Sequence, residues 1–199
     1  QVHGAIRDGD LVTEYEDIII ATNSMPVDEW RRMRLFSWVT MLLHGMKLAY
    51  YVLYYLNDRH NVGYGELINY VTNKQMSPEI GQFLREAVEE FEAQIGRIME
   101  GHGRGREAPG FGDVYWHEEE ASFLRISHKL DEFYEQLLDL LREFMDHKGL
   151  AYDDVELQEI VQYQRMRIPS YNSPAVTQWR FNFNVPEYFD TAFSVDAKP

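Results

Sequence analysis

Side chains with the chemistry of a site gather in only a few stretches of this 199-residue chain. His117-Glu118-Glu119-Glu120 begins like the zinc-binding helix H-E-x-x-H, but Ala121 stands where the second histidine belongs, so that site is not encoded. A carboxylate-bridged di-metal bundle needs Glu-x-x-His motifs on two separate helices, and none occurs. His117 with Glu120, and His128 with Asp131 or Glu132, stand at helical contact spacing and read as solvated acid–imidazole pairs. The stretch GHGRGREAPGFG has the glycines of a phosphate cradle. Such cradles lead from a strand into a helix N-terminus, whereas this one follows a helical pattern and reads as a flexible connector. Arg31, Arg32 and Arg34 beside Asp28 and Glu29 offer guanidinium forks for a carboxylate or phosphate, or for one another's acidic neighbours.

Composition removes whole classes of function. With no cysteine, the chain can form no disulfide, thiolate zinc site, cysteine nucleophile or cysteine-held iron–sulfur cluster. Nineteen basic against thirty-three acidic residues give a net charge of -14, which repels a phosphate backbone and argues against nucleic acid as a partner. The most apolar run, 35–56, is interrupted by His44, Gly45 and Lys47, so no membrane span is expected. A cytoplasmic location agrees with the absence of disulfides, and the start at Gln1 is consistent with a piece excised from a longer polypeptide.

The elements that would position these residues follow from periodicity. A short β-branched run near 11–21 predicts a strand, stopped by Thr22-Asn23-Ser24. Pro26 at the first helical position, with Asp28 and Glu29 in the first turn, predicts a central helix over 26–56, broken in the region of Gly45. Further helices are predicted near 64–73, 78–100 (after Ser77-Pro78), 118–148 and 153–167, the last opened by Asp153 and Glu156 in capping-box spacing. Alternation of Trp179, Phe181, Phe183 and Val185 with polar residues predicts a strand near 176–185. The expected fold is a single, mainly α domain of four to five helices, with two short strands from the N- and C-terminal segments. The loop 101–116 is expected to carry no regular structure.

Aromatic side chains crowd the central helix. Four tyrosines within residues 50–55 cannot all face inward, so some must meet a cavity, solvent or a partner. His44, in an apolar helix, reads as a satisfied core histidine.

Several of these residues carry a family resemblance. Met25-Pro26-Val27-Asp28-Glu29-Trp30, Arg34-Leu35-Phe36-Ser37-Trp38, Leu42-Leu43-His44-Gly45-Met46-Lys47 and the tail from Trp179 to Phe189 resemble the C-terminal region of radical SAM proteins that carry a cobalamin-binding domain. The likeness covers about a third of the chain by motif and is carried by its two ends. It implies a non-catalytic helical domain that packs on the catalytic barrel and helps shape the substrate site. S-adenosylmethionine, a [4Fe-4S] cluster held by C-x-x-x-C-x-x-C, and cobalamin are then implied for upstream domains of the same polypeptide, with none bound by this chain. Asp58-Arg59-His60-Asn61-Val62-Gly63 spells the D-x-H-x-x-G of cobalamin-binding domains. It lacks the preceding strand and any Gly-Gly pair, and reads as a polar loop. No catalytic, cofactor-binding or metal-binding residue is assigned; Trp30, Arg34, Trp38, His44, Tyr51 and Trp179 are the candidate contacts to substrate or to a neighbouring domain. The alternative is an independent helical module that binds a ligand or a protein. A weaker third reading is a metal-dependent enzyme using His117.

Overall fold

The computed structural model describes residues 17–103, 105–169 and 178–194. Among these residues it is mainly α-helical: eight α-helices and one π-helical turn surround one apolar core, with a two-stranded antiparallel sheet beside them. The helices are α1 (Val27–Thr40), α2 (Tyr50–His60), α3 (Tyr64–Thr72), α4 (Gln82–Met99), α5 (Glu118–Ser127), α6 (Leu130–His147), α7 (Asp154–Met166) and α8 (Val185–Ala192). The π turn, Met41–Gly45, continues α1, and β1 (Arg106–Glu107) and β2 (Tyr115–Trp116) form a hairpin between α4 and α5.

The strand expected near 11–21 falls partly outside the described residues, and residues 17–21 are not in a strand. The chain instead closes a tight turn, in which Thr22 and Met25 exchange backbone hydrogen bonds of 2.9 and 3.3 Å and the Thr22 hydroxyl accepts the Met25 N–H. Pro26 then precedes the first helical residue in extended conformation, one position earlier than expected, and Asp28 and Glu29 occupy the first turn.

The helix expected over 26–56 is three elements. The Met46 N–H reaches back five residues to the Met41 carbonyl at 2.7 Å, which widens the helix into the π turn; Lys47 then adopts a positive φ of 64° and the chain restarts as α2. A break inside a core exposes backbone groups that must find partners. Gln164 of α7, fully buried, accepts the Tyr51 N–H at 2.8 Å and donates to the Lys47 carbonyl at 2.6 Å. The Tyr134 hydroxyl of α6 donates to the Leu48 carbonyl at 2.9 Å.

Two further boundaries move for local reasons. Ser77-Pro78 is not a helix start: the Ser77 N–H goes to Glu143 of α6 at 2.7 Å, and Gly81, at φ 66°, holds a conformation that only precedes α4. The helix expected over 118–148 breaks at His128 and Lys129, letting α5 pack near the π turn while α6 lies along α7. By contrast α7 starts as its sequence indicates, with Asp153 Oδ1 accepting the Val155 and Glu156 amides at 2.8 and 3.0 Å.

Residues 176 and 177 lie outside the described residues, and the remainder of the strand expected near 176–185 is irregular chain leading into α8. Its backbone is held by a side chain rather than a ladder. Glu159 of α7, nearly inaccessible, accepts the Asn182 and Phe183 amides, the latter at 2.9 Å. Pro186 and Glu187 in the first turn then start a helix, and Val185 and Phe189 bury its inner face. The loop 101–116 likewise contains the hairpin, with Arg106 opposite Trp116 and Glu107 opposite Tyr115.

Candidate functional site: an aromatic face and a charged cleft

The break between the π turn and α2 turns aromatic side chains outward. His44 is exposed rather than in the core, because the wider turn rotates it away from Leu42 and Leu43, which are fully buried. Its ring lies 5.1 Å from Tyr50 and 6.4 Å from Tyr64, and the Lys47 ammonium stands 5.7 Å from the Tyr50 ring. Tyr50 continues to Phe193 just beyond α8 at 5.5 Å, and Phe193 touches Tyr54 at 4.8 Å. Met41, Tyr64 and Phe193 are 47%, 43% and 41% exposed, so the result is an outward band of aromatic and thioether groups with Lys47 at its edge.

Beneath this band Tyr51 is half-buried against Tyr163 and Phe189, at 5.1 and 5.0 Å, with the Arg167 guanidinium 5.6 Å from its ring. Beside it a groove of about 550 Å³ runs between α2, α7 and α8. In its wall the Tyr188 hydroxyl donates to Asp58 at 2.7 Å and the Arg59 guanidinium covers the Tyr188 ring at 4.9 Å. Burial, the Asp58 hydrogen bond and its charge push the Tyr188 hydroxyl far above the usual tyrosine range.

A second concavity, about 410 Å³, opens beside the hairpin. Glu90 of α4 accepts from Arg106 at 2.8 Å and from Arg125 at 3.4 Å, and Arg106 also donates to Ser122 at 2.9 Å. Arg125 pairs with Glu86 as well. Ala108, Phe111 and Ala121 supply apolar wall, Lys129 stands at the rim, and the His128 ring packs 4.7 Å from Phe111. Behind the hairpin, Glu118 is 2% exposed; one carboxylate oxygen accepts the N–H of Gly105, whose φ is 84°, at 2.8 Å. Burial raises its pKa, against the pull of the Gly105 amide and Arg106.

The six sequence-derived candidates do not converge. Trp30 and Trp38 are core residues of α1, 5% and 7% exposed, with Trp38 against Phe91 of α4 at 5.6 Å and the Arg34 guanidinium 5.1 Å from the Trp38 ring. His44 and Tyr51 belong to the aromatic face, and Trp179 stands exposed ahead of α8. The D-x-H-x-x-G letters fall at the end of α2: Asp58 is bound to Tyr188, His60 packs on Tyr55 at 5.2 Å, and Asn61 ends the helix at φ 54°. Burial lowers the His60 pKa, opposed by Glu156.

Sequence reasoning missed Tyr64 and Phe193, and the cleft's Arg106 and Arg125. The Asn184-Val185-Pro186-Glu187 start of α8 was the available signal for Phe193, since a polar residue followed by proline and an acid opens a helix. No signal in the chain pairs Arg106 with Arg125. Among the described residues no group of three or more His, Asp or Glu side chains is placed to hold a metal ion, and no helix is long and apolar enough to cross a membrane. Compared with known proteins, the chain matches no family model and no curated sequence.

Proposed function

We propose that this chain is a non-catalytic helical domain of a cobalamin-binding-type radical SAM enzyme, docking through its aromatic face on upstream domains of the same polypeptide. The observation that carries the docking is the band from Met41 through His44 and Tyr50 to Phe193, assembled from the π turn, α2 and the end of α8. Aromatic and methionine side chains of this kind are enriched where protein surfaces meet, and charge is depleted at the centre of such contacts. The family assignment rests on the motifs at the two ends of the chain. Two of those motifs, Leu42–Lys47 and the tail to Phe189, fold next to this face.

In this reading S-adenosylmethionine, its [4Fe-4S] cluster and cobalamin belong to the upstream domains, because a chain without cysteine cannot ligate such a cluster through thiolates. The chain contributes packing and a wall of the substrate site in the cytoplasm.

The test is hydrogen exchange measured on the 199-residue chain and on the polypeptide of its native reading frame. Amides of 41–54 and 185–193 are expected to exchange at least about tenfold more slowly in the longer polypeptide, because docking suppresses local opening. Equal exchange, or a native frame without C-x-x-x-C-x-x-C upstream, overturns the proposal.

A further inference from the structure

Acid is in excess in this chain, so a cation that finds no acidic partner is the exception. Lys74, Lys129 and Lys148 each pair with a glutamate, and Arg142 and Arg165 with aspartates. Lys47 and Arg167 are exposed and make no ion pair among the described residues. Each lies instead over rings of the aromatic face. The Lys47 ammonium is 5.7 Å from the Tyr50 ring, and the Arg167 guanidinium is 5.6 Å from Tyr51 and 5.7 Å from Tyr163. The acids of α2 and α8 are turned to other uses: Asp58 accepts the Tyr188 hydroxyl and Glu187 is held by Asn184. Asp190, whose charge acts on Tyr163, forms no ion pair with Arg167.

The two cations flank one continuous patch, because Tyr51 touches Tyr50 at 5.3 Å and Phe193 at 5.8 Å. An aromatic ring is a weak anchor for an exposed cation, and water supplies the rest of its stabilisation. Docking on this patch removes that water. A cation covered by an apolar surface without an ionised acceptor is costly, and one set against a like charge more so. Charge is screened over about 8 Å at physiological ionic strength, so the groups at the contact decide the match, not the net charge of -14.

We infer that the surface covering the aromatic face is apolar at its centre and carries two carboxylates at its rim, one meeting Lys47 and one meeting Arg167. This rests on the docking reading above and assigns the partner surface its chemistry.

The test is hydrogen exchange over 41–54 and 185–193, with each variant made both in the 199-residue chain and in the polypeptide of the native reading frame. Comparing the two lengths of the same variant cancels any change in local stability. The double variant Lys47→Gln, Arg167→Gln keeps hydrogen-bond donors and loses both charges, and is expected to reduce the slowing seen in the longer polypeptide about tenfold. Lys47→Glu with Arg167→Glu should abolish it. Lys74→Gln with Lys129→Gln makes the same change in net charge away from the face and should leave the slowing intact. Slowing that survives in the Lys47→Gln, Arg167→Gln pair means that neutral acceptors suffice; docking then stands and this inference falls. An equal loss in the Lys74→Gln, Lys129→Gln pair also overturns it, since net charge alone would then be responsible. No slowing in the parent polypeptide removes the docking itself, and the inference with it.

Discussion

Two irregular regions interrupt this helical bundle, and they treat buried polar groups in opposite ways. At the break between the π turn and α2, Gln164 answers both the Tyr51 N–H and the Lys47 carbonyl, and Tyr134 answers Leu48. Around the hairpin, Glu118 Oε2, Trp116 Nε1 and the Nε atoms of Arg106 and Arg125 have no hydrogen-bond partner among the described residues. An irregularity whose polar groups are met from within is architecture, and it can afford to present apolar side chains outward. One whose groups are left unmet carries a desolvation cost that packing elsewhere must offset.

The contrast can be broken at its closed end first. Gln164→Leu leaves a buried amide and a buried carbonyl unpartnered, and is expected to cost about 3 kcal/mol in urea unfolding; a loss under about 1 kcal/mol would mean that water already serves the break. Tyr134→Phe removes one hydroxyl and keeps the ring, so a loss of about 1 kcal/mol is expected by the same measurement.

The smallest effect lies at the open end and has the other sign. Burial holds the Glu118 carboxyl above its ordinary 4.5, so the folded state favours the protonated acid. That contribution is fully present below the ordinary value and is lost as pH rises through the raised one. Glu118→Gln, which keeps an acceptor for the Gly105 amide and cannot ionise, should match the parent near pH 4. It should be more stable by under about 1 kcal/mol near pH 8. A difference that is flat across that range would place the Glu118 carboxylate among the satisfied groups.

The legible parts of the fold were those set by local chemistry. Asp153 before Val155 and Glu156 starts α7 as written, and the apolar stripes of α4 and α6 lie in helices with their expected faces buried. What periodicity could not carry was any boundary made by a distant residue. The break at Lys47 is stabilised by Gln164, 117 positions away; Ser77 is turned aside by Glu143, 66 positions away. The alternating pattern of Trp179 to Val185 had the period of a strand, but Glu159 takes the amides at Asn182 and Phe183 that a ladder would use. For the site, the aromatic density around Tyr50 to Tyr55 falls on the helix that carries the outward band. The two tryptophans of α1 lie in the core instead, because a large ring is as useful to a core as to a contact surface.

Glu159 has one more consequence, for the order in which the chain assembles during synthesis. Tyr188 and Asp58 are 130 residues apart in sequence, and the bonds from Asn182 and Phe183 to Glu159 hold the chain that leads into the helix carrying Tyr188. While the ribosome is still making that distance, Tyr51 and Tyr54 on α2 have no Phe189 or Phe193 to cover them. Such late, non-local closure is slow. The nascent polypeptide therefore spends that interval with its tyrosine ridge uncovered.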